Sequence, residues 1–234
     1  IINCAAISSH SLSMEEPKRN INVNVEGVLN ILETMRSLNR DIQLIQIGTT
    51  TQTGILDNQD YIDEQSIQNP LDVYSASKVF AEQLTKIYST SYGLNISNIR
   101  LPNVFGPRAE INSSKLTFNN YFIGQALQKK PINVYSPGDQ IRNIIFIDDV
   151  VNCMHKALSN WEQINKITNI CGPSTVSREK MAEIVQKKTY NNLTFSVIEP
   201  DKSFWEARTK ICRLDPSETA EVLGRSPITF EDFL

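Results

Sequence analysis

The stretch IQLIQIGTTTQTG, Ile42 to Gly54, predicts a buried β-strand that ends in a polar, threonine-rich turn. Before it, apolar residues recur at helical spacing from Asn22 to Arg36. After it, Asp72 to Tyr92 is the longest helical pattern in the chain, and Gly93 ends it. A strand between two helices is typical of crossover units, in which helices cover both faces of a parallel sheet. The sequence therefore predicts an α/β fold.

The same alternation continues on both sides of this stretch. Ile1 to Ala6 (IINCAA) predicts a short strand that runs into small residues, and Leu94 to Gly106 predicts another strand. Ligands collect at the carboxyl ends of parallel strands, so we expect a site after Ile47 and after Arg100. The remaining patterns predict helices at Lys115–Lys130, after Ile147, at Ser177–Lys188 and at Pro216–Leu223, and strands at Ile132–Tyr135, Ile144–Ile147, Ile167–Ile170 and Leu193–Ile198.

The composition argues against several classes of partner. The 234 residues carry a formal net charge of -3, which gives no general attraction to nucleic acid or to anionic lipid. No apolar run is long enough to span a membrane. The four cysteines form no CxxC pair and there are two histidines, so zinc ligands are few and we expect no metal. Cys4 and Cys171 lie in apolar stretches, and we predict them to be core residues of a cytoplasmic protein.

The pentapeptide YSASK, Tyr74 to Lys78, lies at the start of the longest predicted helix. Its two ends share one helix face, about 5–6 Å apart at Cβ, where a lysine ammonium lowers a tyrosine pKa. The alternative is a surface tyrosine beside a solvated lysine. Thr49 follows a predicted strand and adds a hydroxyl, although a capped turn also explains it. Together, the three side chains supply what carbonyl–alcohol redox chemistry needs.

Eight segments of the chain carry a family resemblance. They are NCAA, NVEGVLNILE, IGTTTQTG, YSASKVFAEQL, IRLPNVFGPR, PGDQIRNIIFIDDV, NICG and DPSETAEVLG. In this order they resemble the extended short-chain dehydrogenase/reductases, and most closely the NAD-dependent nucleotide-sugar epimerase/dehydratase family. The resemblance implies a Rossmann-type doubly wound parallel sheet and a smaller C-terminal α+β substrate-binding region. Residues 1–106 would belong to the NAD-binding domain and 107–234 mainly to the nucleotide-sugar-binding region, with returning Rossmann elements near 132–170.

The resemblance also assigns roles to residues. Arg142 matches the arginine that holds the substrate diphosphate, but an ion pair with Asp148 or Asp149 is the alternative. Asn103 would contact the nucleotide sugar or form a turn, and the alternative for Asn24 is to cap or bridge a helix. The implied catalytic residues are Thr49, Tyr74 and Lys78; the implied cofactor-binding residues are Ala5, Ala6, Asn24, Tyr74 and Lys78; and the implied substrate-binding residues are Thr49, Asn103 and Arg142.

The reaction follows from residues that the resembling branches would need. Dehydratases carry Asp-Glu directly after the catalytic hydroxyl residue, the decarboxylating branch carries Glu, and epimerase-reductases carry Cys in the same turn. Thr50 and Thr51 occupy those places. We therefore predict C4 epimerisation of a UDP-, dTDP-, GDP- or CDP-hexose through a transient 4-keto sugar, by a homodimer. The alternatives are a 4-keto-sugar reductase or dehydratase of the same family, and a catalytically silent dinucleotide-binding sensor or scaffold.

One element of the resembling family is absent from the sequence. Its glycine-rich GxxGxxG turn, which brings backbone amides to the cofactor pyrophosphate, occurs nowhere in these residues. The chain opens inside an apolar strand, at Ile1. We expect about sixty to eighty residues to precede it, from the usual length of crossover units. The choice of NAD over NADP rests on the resemblance.

Overall fold

Three parallel strands organise the first part of the chain in the computed structural model, in the order β1-β2-β3. They are β1 (Ile2–Asn3), β2 (Gln43–Thr49) and β3 (Asn95–Leu101). Ile45 of β2 lies between Ile2 and Ser97 in the register, which confirms the predicted parallel pairing. The structure describes residues 1–38, 41–54, 62–112, 117–136, 138–164, 169–189, 195–199 and 214–234.

A helical segment longer than predicted packs beside this sheet. The sequence pattern places its start at Asn22, but helical structure begins at His10, and Pro17 opens its second piece, where a missing N–H costs nothing. The first part of the segment is mainly polar and carries no clear apolar period, which is why the pattern missed it. The pieces are α1 (His10–Glu15), α2 (Pro17–Ile21), a π-helical turn (Asn22–Glu26) and α3 (Gly27–Leu38).

Helix α4 (Val73–Tyr92) confirms the longest helical prediction. Asp72 caps its N-terminus by accepting a hydrogen bond from Ser75 N, and Gly93 ends it in the left-handed conformation at φ 67°. Ala81 of α4 packs against α3 and β2 in one apolar core. The buried residues of that core are Val28, Leu32, Met35, Leu44 and Ala81.

The second part of the chain adds two small sheets. Strand β4 (Asn103–Phe105) pairs in parallel with β6 (Ile141–Phe146), which pairs antiparallel with β7 (Ser174–Ser177). Strand β5 (Ile132–Tyr135) pairs in parallel with β8 (Phe195–Ile198). The sequence predicted one strand across β3 and β4, but Pro102 separates them because it lacks an N–H for the ladder. Strand β7 is polar and was not predicted.

The helices around these sheets are mostly those that the sequence predicted. Ser177 caps α8 by accepting a 3.1 Å hydrogen bond from Lys180 N, as expected. The strand predicted at Ile167–Ile170 is seen as a bridge between Asn169 and Arg100, and 167–168 lie outside the described residues. The helices are α5 (Phe118–Leu127), α6 (Ile147–Ser159), α7 (Trp161–Ile164), α8 (Arg178–Lys188), α9 (Ser217–Leu223) and α10 (Phe230–Phe233).

A second core joins the two parts of the chain. Ile45 and Ile99 of the first sheet pack with Ile145 of β6 and with Val150 of α6. Of the two cysteines predicted to be core residues, Cys171 is buried, but the prediction for Cys4 is wrong. Cys4 is exposed because it lies just past the carboxyl end of β1, outside the sheet. Among the described residues, no helix is both long and apolar enough to cross a membrane.

Candidate functional site

A cavity of about 590 Å³ opens where β2, β3 and β4 end. Thr49, Tyr74, Asn103 and Arg142 all line it, although they come from separate parts of the chain. The structure thus brings together four of the residues that the sequence singled out. Lys78, Ala5, Ala6 and Asn24 are not part of the described lining of this cavity.

The threonine-rich turn presents Thr49 to the cavity. Thr49 is the last residue of β2, and a 3₁₀ turn (Thr50–Thr53) follows it. Gln52 Oε1 accepts a 2.8 Å hydrogen bond from Thr49 N, and Thr49 Oγ1 accepts one of 3.3 Å from Thr51 N. Gly54 closes the turn at φ 67°, where a Cβ would lie 1.7 Å from Asn69 O. Thr49 is therefore both a turn cap and a cavity residue.

Tyr74 and Lys78 lie on the buried side of α4, so the surface alternative for this pair is wrong. Tyr74 is 8% exposed and Lys78 is 4% exposed. Tyr74 N donates a 3.1 Å hydrogen bond to Ser13 Oγ of α1, which holds the start of α4 in place. Lys78 Nζ donates a 2.9 Å bond to Ile47 O of β2. Both side chains are thus fixed against the end of the central strand.

The electrostatics of the pair differ from the prediction. Burial raises the pKa of Tyr74 to about 12, although a hydrogen bond with Thr49 opposes this rise and the charge of Asp72 adds to it. Burial likewise lowers the pKa of Lys78 to about 8. The expected lowering of the Tyr74 pKa by Lys78 is therefore wrong for this structure, because desolvation of the phenolate is the largest cause of the shift and Lys78 Nζ donates to a backbone carbonyl. Each residue is shifted towards its neutral form.

His10 and Asp72 are site residues that the sequence patterns missed. His10 Nδ1 and Asp72 Oδ2 are 2.7 Å apart, and the imidazole meets the Tyr74 ring edge to face with centroids 5.1 Å apart. Burial would raise the pKa of Asp72, but the hydrogen bonds from His10 and Ser75 hold it below its usual value. Asp72 was predicted as the start of the helix, and His10 carried no signal. Both residues line the cavity.

Three other predicted cofactor residues lie outside α4: Ala5 and Ala6 follow β1, and Asn24 lies in the π-helical turn. Ala5 is exposed and Ala6 is half-buried. The Asn24 side chain is 1% exposed, accepts a 2.8 Å hydrogen bond from Ile7 N and donates one of 3.0 Å to Ser77 Oγ. It therefore bridges the segment after β1 to helix α4. A direct contact of Asn24 with cofactor stays a prediction.

Two buried arginines also line the cavity. Arg142 is 7% exposed, and its Nη1 donates a 2.9 Å hydrogen bond to Ile141 O. The carboxylate of Asp149, the alternative partner, accepts hydrogen bonds from Arg225 Nη2 at 2.5 Å and from Ile228 N at 2.6 Å. An ion pair of Arg142 with Asp148, the other alternative, stays a prediction, and Arg142 is a ligand-binding candidate through its place in the cavity wall.

Arg178, which the sequence analysis missed, is also 7% exposed. Its guanidinium lies 5.1 Å from the centroid of the Phe118 ring. One feature of the sequence could have indicated Arg178: it directly follows Ser177, the predicted helix cap. Side chains in the first turn of a helix point back towards the preceding turn. The ranges predicted to select the sugar, Leu116–Ala126 and Thr194–Arg213, lie partly outside the described residues.

Comparisons with known proteins agree with this geometry. The family model described as "NAD dependent epimerase/dehydratase family" matches residues 1–171. A UDP-glucuronate 4-epimerase from Thermodesulfobacterium geofontis is 26% identical over 100% of this chain and 69% of that protein.

Solved structures show the same fold. UDP-glucose 4-epimerase from Thermotoga maritima, with UDP-glucose, is 22% identical with a TM-score of 0.85, covering 99% of this chain and 73% of that chain. UDP-glucuronic acid 4-epimerase from Bacillus cereus, in complex with UDP-glucuronic acid and NAD, is 22% identical with a TM-score of 0.83, covering 98% and 70%. These likenesses confirm the predicted Rossmann-type fold.

NAD is the cofactor of this family. Some of the described residues have the size and chemistry that part of an NAD site needs. Ala5 and Ala6 are small residues after the carboxyl end of β1, where a bulky side chain would block a dinucleotide. Lys78 Nζ, next to the end of β2, is a donor of the kind that ribose hydroxyls accept. Ala5 and Ala6 would line the dinucleotide and Lys78 would hold its nicotinamide ribose, and these roles stay predictions.

Proposed function

Because the chain belongs to the NAD-dependent epimerase/dehydratase family, we propose that it interconverts the C4 epimers of a nucleotide hexose. The observation that carries this proposal is that Thr49, at the end of β2, and Tyr74, in the first turn of α4, line the same cavity. The hydroxyl residues Thr50 and Thr51 follow Thr49, where elimination of water would need carboxylates. These described residues therefore suit oxidation and reduction at one carbon.

The residues divide the chemistry between them. Bound NAD supplies a reversible acceptor for the hydride of the sugar carbon. Tyr74, which its raised pKa keeps protonated in the cofactor-free protein, must first lose its own proton; it then takes the proton of the C4 hydroxyl and returns it after the ketone has turned over. The Thr49 hydroxyl donates a hydrogen bond to the same oxygen and stabilises the charge that develops there. Lys78, with a pKa lowered to about 8, supplies a cation whose charge responds near neutral pH.

The cationic part of the cavity suits a nucleoside diphosphate. Arg142 is a planar, permanently charged donor of the type that binds phosphate oxygens in pairs. Arg178 adds a second guanidinium to the cavity wall. Asn103, which lies between Tyr74 and Arg142 in the sequence, also lines the cavity. The relatives that carry UDP-glucose and UDP-glucuronic acid favour UDP as the nucleotide.

A panel of nucleotide sugars tests the reaction. We expect the full-length protein with NAD to convert one UDP-hexose or UDP-hexuronate into its C4 epimer until the two epimers reach equilibrium. No net NADH should form. Proton NMR of the products identifies the epimer, and Tyr74→Phe is the control for background. Accumulation of a dehydrated keto sugar, or consumption of one NADH for each sugar, would contradict epimerisation and support the dehydratase or reductase alternative.

Arg142→Ala tests the orientation of the substrate. Losing a charge-assisted bond to phosphate should weaken nucleotide-sugar binding by about 2–3 kcal/mol. Arg225→Ala is the matched control, because Arg225 pairs with Asp149 outside the cavity. We expect that variant to lose thermal stability and keep its affinity. Unchanged calorimetric affinity of Arg142→Ala, with a lowered melting temperature, would make Arg142 a structural residue.

The homodimer and the cytoplasmic location stay predictions. Helices α3 and α4 support the former, since Leu29, Phe80 and Ile87 are large apolar side chains that are 36%, 53% and 54% exposed. Sedimentation of the full-length protein measures the oligomeric state.

A further inference from the structure

A histidine and an aspartate form a hydrogen-bonded pair in the wall of the cavity. His10 opens α1 and Asp72 caps the start of α4, and both line the cavity together with Tyr74. His10 Nδ1 lies 2.7 Å from Asp72 Oδ2. The Asp72 side chain is 3% exposed and that of His10 is 43% exposed, so a buried carboxylate holds an imidazole that a ligand can reach. The chemistry proposed for Thr49, Tyr74 and Lys78 makes no use of this pair.

The bond to Asp72 determines which atom of the imidazole remains for a ligand. Burial would raise the pKa of Asp72, but hydrogen bonds from His10 and Ser75 hold it below its usual value, so Asp72 is a carboxylate at neutral pH. A carboxylate only accepts hydrogen bonds, and Nδ1 therefore carries the proton of this bond. The other ring nitrogen, Nε2, accepts a hydrogen bond when the imidazole is neutral and donates one when it is protonated.

The imidazole lies beside the residue that is proposed to act at C4 of the sugar. Its ring meets the Tyr74 ring edge to face, with centroids 5.1 Å apart. A sugar whose C4 oxygen contacts the Tyr74 hydroxyl would therefore bring the substituents next to C4 within reach of His10. In a hexose these are the hydroxyls on C3 and on C6, since C5 carries C6. Their place next to C4 rests on the proposed function.

The charge of Asp72 favours a hydroxyl over a carboxylate as the group that His10 contacts. A sugar hydroxyl both donates and accepts, so it can bond Nε2 in either protonation state of the imidazole. A sugar carboxylate only accepts, and it carries a charge of the same sign as Asp72, so it would suit the protonated imidazole alone. Histidine changes its charge near neutral pH. A hydroxyl is therefore the group that suits this pair throughout the neutral range.

We propose that His10 is a specificity-determining residue, whose Nε2 forms a hydrogen bond with a sugar hydroxyl next to C4. Asp72 is a positioning residue, because it holds the ring through Nδ1 and leaves Nε2 to the sugar. The substrate is then a nucleotide hexose that carries a free hydroxyl on C3 or on C6. A sugar that lacks this hydroxyl leaves Nε2 without its partner in the complex and binds more weakly.

Calorimetry with the full-length protein and NAD tests this contact. The probes are UDP, UDP-glucose and the 3-deoxy and 6-deoxy forms of UDP-glucose. The test variant is His10→Asn, because the amide nitrogen of asparagine takes the place of Nδ1 and can keep the bond to Asp72, while Nε2 is lost. We expect this variant to bind UDP-glucose about three- to tenfold more weakly, as for loss of one hydrogen bond, and to bind UDP as the wild type does.

The deoxy sugars identify the hydroxyl. The wild type should bind one of them about three- to tenfold more weakly than UDP-glucose, whereas His10→Asn should bind that deoxy sugar and UDP-glucose equally. Equal affinity of the wild type for all three sugars would overturn the proposal, as would a variant that distinguishes them as the wild type does. An equal loss for UDP and UDP-glucose would also overturn it, because His10 would then act on the nucleotide or on the fold.

His155→Asn is the matched control. His155 is the other histidine of the chain, is exposed on α6 and does not belong to the described lining of the cavity. This control should keep the wild-type affinities, and losses equal to those of His10→Asn would overturn the proposal.

UDP-glucuronic acid separates a hydroxyl contact from a carboxylate contact. A larger loss of affinity for this sugar than for UDP-glucose in His10→Asn would show that His10 binds the carboxylate, and would overturn the proposal. An equal or smaller loss is expected. Calorimetry measures binding without turnover, so a failure of epimerisation would be seen separately in the sugar panel.

Discussion

Helix α4 carries two buried polar clusters that behave in opposite ways. The first contains Tyr74 and Lys78, whose pKa values burial moves to about 12 and about 8. The second centres on Glu82: burial would raise its pKa, but Arg100 and Lys86 outweigh this and lower it to about 2. Where a buried charge is paired, it stays charged throughout the neutral range. Where it is desolvated without a partner of opposite charge, the neutral form is favoured, and proton transfer becomes possible.

Gln52 connects the two clusters. Its Nε2 donates a 2.8 Å hydrogen bond to Glu82 Oε2, and its Oε1 accepts one of 2.8 Å from Thr49 N. Gly48 leaves room for this side chain, because a Cβ there would lie 2.6 Å from Gln52 Oε1. The charged cluster therefore stabilises the turn that holds the catalytic threonine.

Breaking the charged cluster, which consists of Glu82, Arg100 and Lys86, should lower the free energy of unfolding most. Arg100 donates two hydrogen bonds to Glu82, at 2.9 and 2.8 Å, and both side chains are 2% exposed. Glu82→Gln leaves Arg100 with no carboxylate at that position, so we expect the free energy of unfolding to fall by about 3–5 kcal/mol at pH 7. Urea denaturation measures it.

The pH dependence identifies the cause. The folded pKa of Glu82, about 2, lies below its usual 4.5, so its contribution is present above pH 4.5 and is lost as the pH falls towards 2. The difference between wild type and Glu82→Gln should therefore shrink with acid. A difference that is independent of pH would contradict the charge argument.

The uncharged cluster predicts the opposite response for Lys78. Its folded pKa of about 8 lies below the usual 10.5, so below pH 8 the folded protein contains a buried ammonium. Lys78→Met should stabilise the cofactor-free protein at pH 7 by up to about 3 kcal/mol. The unfolded state binds more protons between pH 8 and 10.5, so wild-type stability should rise relative to the variant across that window. Parallel curves of unfolding free energy against pH would show that Lys78 is not desolvated.

Tyr74→Phe separates chemistry from stability within the same cluster. Removal of a positioned acid/base should lower turnover by at least about a hundredfold. The ring stays, and with it the edge-to-face contact with His10, so the melting temperature should change little. Steady-state rates with the active sugar and thermal melts check both parts. Near-normal turnover would remove Tyr74 from the mechanism.

Much of this fold could be predicted because its elements carry periodic apolar patterns. Asp72 and Gly93 mark the ends of α4 by local chemistry that holds in any fold. Strand β7 could not be predicted, since its polar residues pair with β6 only through tertiary contact. The same applies to α1, which lacks an apolar period and is fixed through Ser13 to the start of α4.

The site could be predicted only as far as sequence spacing determines contact. A helix places Tyr74 and Lys78 on one face wherever it lies, but the sheet decides that Lys78 Nζ meets Ile47 O. Burial, and hence the direction of both pKa shifts, depends on that packing. His10 meets Asp72 across 62 residues, a contact that no local pattern encodes.

The smallest loss of stability should come from breaking an ion pair that is exposed to solvent. Glu33 and Arg36 of α3 form such a pair, with side chains 43% and 45% exposed. Hydrogen bonds from Arg36 and then from Tyr88 lower the pKa of Glu33 to about 2, the same value as for Glu82. If pairing alone determined stability, Glu33→Gln and Glu82→Gln would be equally destabilising. Solvent and salt screen the exposed pair, however, so we expect a much smaller loss for Glu33→Gln, and one that disappears at high ionic strength. Urea denaturation of both variants at low and high salt measures this, and equal losses would show that burial is not what distinguishes the charged cluster of α4.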